Sequence, residues 1–539
     1  MAQETSPTSD VVSGEPHRFF FIPSVTSQAI LTFLILCTIS SLPVLITKMP
    51  AMVDYPNHLA RLYIIAHQTD PLLSKFYQIT WRPIPDLASD VIVPILNRVV
   101  NIFTAGKLAV LLIMGLIVSG TYALHYALYK NWTGSAVSFL FLFNGIFMYG
   151  FLNYLFSIGL ALWATAGWIA LRDRPWWWRS AYSVCAVSVL FLSHLVGVGL
   201  YALAIFCYEG SRIDGTNRGR LALFSDAAAV LLPFLIVIPL ILSTLGIHAL
   251  SGTEPSHLTR KWLGLYHIFR NAHVICDAIS FCFLLLFFGF LLYRRRIAVP
   301  RLGWMFLMFA GLVYLIVPEW VFHVWGIDTR LPAAFVFFVI AMVRWRIESP
   351  VGAVIFNSII VVAVATRVVG VAYTWRVYDK IAAHYEKSFA QIEPGSRILV
   401  TWDDSADWQK STDGVNLGMD QEILWHLPVL AVIERSSLVS TIFAHSGNPL
   451  SIRAPYRDAI PIDRKLSLGV GDLSSPDRAL PPHGYVRNWR DYYDYLYVQF
   501  AFPGSHPNLA GVKLVYQGAS FQLYKVVVSN GLSAKTPAN

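Results

Sequence analysis

Apolar residues in this chain come in runs of about twenty, the length of a membrane span rather than of a soluble core helix. The first covers roughly 28–48. Others cover 107–128, 134–150, 153–171, 181–193, 195–208, 221–245, 274–293, 302–317, 331–343 and 351–373. Read as spans, these predict about eleven transmembrane helices. The stretch 181–208 is 28 residues long, enough for one long helix or two short ones split at His194. The polar segment before the first run, MAQETSPTSDVVSGEPHR, has no basic start and no small-residue cleavage site, so the run reads as an uncleaved first span.

The basic residues order these spans. Short cytoplasmic loops concentrate Lys and Arg. With the N-terminus inside, one side receives Lys130, Arg172/Arg174/Arg179, Arg212/Arg218/Arg220, Arg294/Arg295/Arg296/Arg301 and Arg344/Arg346. The opposite side receives 50–106, tight turns near Gly150 and His194, 247–272, 318–330 and everything after Tyr373. Merging 181–208 into one span would send the later arginine clusters to the wrong side, so the charges favour the split. The expected organisation is a cytoplasmic tail (1–27), a transmembrane domain (28–373) with a large first loop (49–106) and an external domain (374–539).

Composition agrees: 55% of residues are hydrophobic, 14% are charged, and mean hydropathy is +0.54. The net charge of +9 is confined to the membrane part, because 374–539 carries 16 basic and 16 acidic residues. The excess is topogenic and gives no reason to expect nucleic acid. All five cysteines (Cys37, Cys185, Cys207, Cys276, Cys282) lie in apolar runs, so the external parts need neither disulfides nor a zinc–cysteine site. The sequon at Asn131 falls on the cytoplasmic side.

The tail alternates strand-like and helical stretches. SRILVTW and YDYLYVQF read as strands, GVKLVYQGASFQLYKVVV as a hairpin turning at Gln517-Gly518, and DQEILWHLPVLAVIE as a helix leading into a strand. A compact α/β domain follows. The chain contains no internal repeat, Walker motif or nucleotide-binding glycine loop, which speaks against an energy-coupled pump. WDDSAD (Asp403, Asp404, Asp407) reads as an ordinary acidic loop.

The first loop is far longer than a connection requires and opens on AMVDYPNHLARLY. Asp54, His58 and Arg61 are spaced i, i+4, i+7, along one face of a helix beginning near Asp54. Its other residues would let it lie in the membrane interface. Asp54 reads either as a helix cap or as a general base or cation ligand. His58 and Arg61 read as a solvated face or, with Asp54 and the neighbouring Asn57, as a base, a proton-transfer partner and an anion binder. The same side of the membrane receives Asn153 in YGFLNY, His194 in FLSHLVG, and His323, Asp328 and Arg330 in PEWVFHVWGIDTRLP. The lone histidines fit packing roles as well as chemistry. Arg330 opposes the inside bias, and beside Asp328 it is either half of an ion pair or an anion site suited to phosphate.

A first span followed at once by a long external loop opening with an acid, about eleven spans and an external C-terminal domain together resemble the GT-C superfamily of integral-membrane glycosyltransferases, which use polyprenyl-phosphate-linked sugars. DYPNHLAR resembles the D-x-P-x-H first-loop variant of bacterial members, and HLPVLAVIERSSLVSTIFAHSGNPL a segment of their tails. The resemblance implies an enzyme of the bacterial inner membrane with a periplasmic C-terminal domain, moving a sugar from a polyprenyl-phosphate donor to a glycan or lipid acceptor among membrane lipids. It implies Asp54 as the activating acid, His58 and Arg61 on the helix that follows, and Arg330 meeting the lipid phosphate. Many members carry two neighbouring acids. The solitary Asp54 argues against a bound divalent cation, and no other cofactor is expected. The competing readings are a lipid-linked-glycan transporter, which would show inverted repeats, and a non-catalytic glycan-binding relative.

Overall fold

The computed structural model describes residues 24–213, 228–240 apart from 229 and 237, 258–271, 274–320, 325–404, 422–444, 448–459, 468–474, 488–501, 504 and 509–527. The first apolar run forms α1 (Val25–Ile46), and the first loop folds into α2 (Tyr55–Ala66), α3 (Pro71–Phe76), β1 (Tyr77–Ile79) and α4 (Ala88–Leu96). Then come α5 (Ile102–Tyr129), α6 (Gly145–Tyr149), α7 (Leu152–Ala170), α8 (Trp176–Ser193) and α9 (Leu195–Ser211). The helix does break at His194, so 181–208 is a helical hairpin. Beyond it lie α10 (Leu258–His267), α11 (Val274–Tyr293), β2 (Ile297–Ala298), α12 (Arg301–Ile316), α13 (Ile327–Met342), β3 (Arg344–Trp345) and α14 (Pro350–Phe389). The expected span at 221–245 lies largely outside the described residues.

Among the described residues, α1, α5, α7 and α14 are long and apolar enough to cross a membrane, and α9, α11 and α12 are shorter apolar helices. The chain is an integral membrane protein. α5 packs closely on α7 because glycines remove side chains where they meet. A Cβ on Gly159 would lie 2.6 Å from Leu116 Cβ, and one on Gly120 2.8 Å from Leu162 Cβ. Small residues at such crossings let backbones approach where no hydrophobic force between helices exists.

One expected span is corrected. Residues 134–150 form a 3₁₀ turn (Ser135–Phe141) and the short α6, both buried. Asn144 causes the break: its carboxamide accepts from Phe147 N at 3.0 Å and donates to Phe141 O at 2.8 Å. Irregular backbone persists at membrane depth only when protein rather than lipid surrounds it, and the apolar side chains here face other helices.

The last span is longer than expected. α14 has 40 residues, roughly 60 Å at 1.5 Å per residue, about twice the hydrocarbon thickness. It runs through the expected domain boundary at 373 into the tail, where Tyr385 and Phe389 join the aromatic core around Tyr497 and Phe521. The tail contains β4 (Arg397–Trp402), α15 (Ala431–Arg435), β5 (Leu438–Val439), β6 (Leu450–Ile452), β7 (Tyr495–Gln499), β8 (Val512–Gln517) and β9 (Phe521–Val526). Its five-stranded mixed sheet has the order β5-β4-β7-β9-β8, with β4 parallel to β5 and β7 and the other pairs antiparallel. The expected β8–β9 hairpin is present. Where the stretch 420–434, read as a helix leading into a strand, is described, it forms two 3₁₀ turns and most of α15, and the strand β5 follows only beyond it.

The first loop and the tail are one packed unit. β1 pairs with β6, Tyr77 Oη donates to Ser437 O at 3.0 Å, and Arg453 Nε donates to Ser74 O at 2.7 Å. α2 is therefore buried between α4 and the tail, not laid in the interface. Its Arg61 forms a buried bidentate ion pair with Asp90 of α4, the Nε arm at 3.1 Å. Burial raises the Asp90 carboxyl above its usual range, against the pull of Arg61. Removing one member of such a pair leaves an uncompensated buried charge. Arg61→Leu and Asp90→Leu should each destabilise the protein by about 3–5 kcal/mol, and the double variant should recover most of the loss. Thermal unfolding in detergent reads this; equal loss in single and double variants contradicts it.

Candidate functional site

The site assembles where the loop-side ends of α2, α7, α9 and α13 meet the tail. Backbone pairing sets its floor. Val53 N donates to Met148 O at 3.0 Å and Asp54 N to Tyr149 O at 2.9 Å, pinning the start of α2 to the end of α6, just before its turn at Gly150. Gly150 makes that turn at φ +81, and a Cβ there would sit 3.0 Å from Met52 Cβ. Only glycine fits both the left-handed backbone and the close approach.

Asp54 occupies the position before α2, but its side chain makes no capping bond, so the capping role is not the one it has. Its Oδ1 lies 3.4 Å from His426 Nε2, a tail residue 372 positions away. Asn57, fully buried, makes the bridge: Nδ2 lies 3.0 Å from His426 Nδ1 and donates to Thr441 O at 2.7 Å, while Oδ1 accepts from Phe443 N at 2.8 Å. Phe443 packs edge-to-face on both His58 and His426, at 5.4 and 5.0 Å. His58 thus sits beside the Asp54–His426 pair. Arg61 does not: its guanidinium is committed to Asp90, which corrects its expected place as an anion binder beside Asp54.

A second acid enters from the loop before α4. Asp86 has φ +68, a left-handed conformation that side-chain-bearing residues adopt at a cost and that tends to cluster at functional sites. Asn153 of α7 holds it there, donating from Nδ2 to Asp86 O at 2.6 Å and accepting from Ser89 N at 2.7 Å. Leu87 N donates to Leu192 O at 2.8 Å. His194, in the hairpin turn between α8 and α9, accepts at Nδ1 from Val196 N at 3.1 Å. Its Nε2 lies 3.6 Å from Asp86 Oδ1. Asn153 and His194 thus act on Asp86, one through its backbone and the other through its carboxylate.

Arg330 lies within electrostatic range of both acids. The charges of Asp54 and Asp86 act on it, and its guanidinium lies 3.5 Å from the centre of the Phe151 ring. Its Nη2 donates to Trp325 O at 2.6 Å, and Tyr154 Oη donates to its carbonyl at 2.7 Å. Nε is buried without a hydrogen-bond partner among the described residues. The sequence allowed Arg330 to pair with Asp328; instead Asp328 faces Lys261, 3.5 Å away, whose Nζ also donates to Val317 O at 2.6 Å. Asp328 therefore braces α10 against α13. His323 lies outside the described residues. Beside Arg330, Tyr149 stacks parallel on Phe151 at 5.4 Å and meets Trp325 edge-on at 5.8 Å. Among the described residues no three His, Cys, Asp or Glu side chains are arranged to hold a metal ion.

Sequence reasoning missed Asp86 and His426. The tail segment that carries the family resemblance begins at His426, and RPIPDLASD places Asp86 after two prolines; neither signal reveals a partner hundreds of residues away.

His267, at the end of α10, packs against Tyr149. Burial and the nearby Arg270 lower its imidazole to about 4. Between the ordinary value near 6.5 and about 4, the unfolded chain binds this proton and the folded chain does not. Stability therefore falls as pH drops through that window. His267→Gln should flatten the slope in melting curves taken from pH 7 to 4; an unchanged slope contradicts the assignment.

No family model matches the sequence, and no curated protein matches it. Comparison of folds does find relatives. ArnT from Cupriavidus metallidurans bound to undecaprenyl phosphate matches with a TM-score of 0.51 at 11% identity, covering 94% of this chain and 99% of that one. The apo state of ArnT matches with a TM-score of 0.50 at 10% identity, covering 93% and 98%. ArnT is a GT-C glycosyltransferase, and over nearly its whole length this chain has the GT-C fold.

Proposed function

We propose that the protein transfers a sugar from a polyprenyl-phosphate-linked donor to a glycan or lipid acceptor of the cell envelope, at the membrane face bearing the first loop and the tail. The main support is that Asp54 and Asp86 both act electrostatically on the buried Arg330 at the loop-side mouth of a fold shared with ArnT, which has been solved bound to undecaprenyl phosphate. Inverting transfer requires a base for the acceptor hydroxyl and a cationic group for the departing lipid phosphate. Asp54 is assigned as the base. Arg330, with a buried Nε and its guanidinium 3.5 Å from the centre of the Phe151 ring, is assigned to the phosphate. Asp86 and His194 form the facing wall, and the Tyr149–Phe151 pair offers an apolar platform to a sugar ring. His58 and Asn57 support Asp54 from α2.

The reading places the protein in a bacterial inner membrane, with its N-terminus cytoplasmic and the tail periplasmic. The arginine-rich loops on the opposite side support that orientation. A transporter or a non-catalytic scaffold would leave unexplained why a base and a guanidinium are drawn together at this mouth. Membranes incubated with radiolabelled polyprenyl-phosphate sugars provide the test. Asp54→Asn should reduce transfer by about 10²–10⁴-fold, and Arg330→Gln by about 10²–10³-fold. Full transfer by Asp54→Asn overturns the assigned base.

A further inference from the structure

His426 reaches the membrane site from the soluble tail, and its hydrogen bonds fix which ring nitrogen carries the proton. Phe443 N is a backbone donor, so the Asn57 atom it meets at 2.8 Å is the carboxamide oxygen. The other Asn57 atom is then the NH₂, which donates to Thr441 O at 2.7 Å and faces His426 Nδ1 at 3.0 Å. A donor facing Nδ1 requires Nδ1 to be the acceptor. The ring is then the neutral tautomer with its proton on Nε2, directed at Asp54 Oδ1, 3.4 Å away. Adding a second proton at Nδ1 would set two donors against each other.

We propose that His426 is a positioning residue for Asp54: a neutral Nε2–H donor that holds one carboxylate oxygen and leaves the other for the acceptor hydroxyl. The proposal rests on the reading of Asp54 as the base. His426 takes no proton from Asp54, because Nε2 already carries one and Asn57 blocks Nδ1. Its effect is to favour the ionised carboxylate, since a hydrogen bond to the charged form stabilises that form. Other charged and titratable groups surround Asp54: Arg330 from α13 interacts with its charge, Asp86 from the loop before α4 interacts with the same guanidinium, and His58 of α2 lies across Phe443. All three come from outside the tail, although His58 packs on the tail's Phe443. His426 is the group that the tail itself brings to Asp54, so the tail's docking on the first loop sets the ionisation and aim of a carboxylate at the membrane.

Two measurements on the full-length protein in lipid nanodiscs test this. The first is ¹⁵N NMR of histidine-labelled protein at pH 7, with the His426 signals identified by their loss in His426→Gln. The expected pattern is the neutral Nε2–H tautomer, with an Nε2 resonance that moves in Asp54→Asn. A protonated Nδ1, or a doubly protonated ring, overturns the proposal whatever the activity. The second is the pH profile of transfer. His426→Asn and His426→Ala lose the donor, so the acidic limb should move up by about one pH unit. His426→Gln, whose amide nitrogen reaches the Nε2 position, should restore the wild-type limb. An equal loss of rate in all three variants with unmoved limbs makes His426 merely structural and overturns the role. Absence of transfer by the wild type overturns the reading of Asp54 as base, and the role with it, while the tautomer stands on its own spectrum.

Discussion

The fully buried carboxamide of Asn57 is the contact on which the site's geometry depends. Both its N–H donors and its carbonyl oxygen bond to the tail, at His426, Thr441 and Phe443, while it stands in the first turn of the helix that follows Asp54. Buried polar groups are costly unless satisfied, so the tail and the first loop are held in one register. The β1–β6 ladder extends that register, and the Arg61–Asp90 pair passes it to α4. Asp54 therefore projects from a helix fixed from two sides.

The other half of the site is built from the membrane helices. Asn153 and His194 grip the Asp86 loop, while Phe151 and Tyr154 hold Arg330. Ionisable groups at membrane depth persist when they face one another or a cavity rather than lipid. Here the charges of Asp54 and Asp86 both act on the Arg330 guanidinium, which rests against the Phe151 ring.

Much of the architecture was legible in the sequence. Run length gave the long helices, the parity of arginine clusters gave the break at His194, and the alternation around Gln517-Gly518 gave the β8–β9 hairpin. The segment 134–150 was misread because apolarity does not distinguish lipid-facing from protein-facing residues; the Asn144-Gly145 step inside it was the available sign. The site was only partly legible. Asp54, Asn153, His194 and Arg330 stood out as polar residues in apolar company. Arg61 stood out equally and proved to serve packing, because a buried partner on another helix cannot be inferred from spacing. Asp86 and His426 gain their meaning only from contacts across the fold.

The central claim is that the loop-side mouth bounded by Asp54, Asp86 and Arg330 receives a polyprenyl phosphate. Determining the structure of the full-length protein in nanodiscs supplied with a polyprenyl phosphate tests it most directly. The account predicts the phosphate within hydrogen-bond reach of Arg330, about 3 Å, with the isoprenoid chain in lipid. A phosphate bound on the arginine-rich side, or on the loop side out of contact with Arg330, would contradict it.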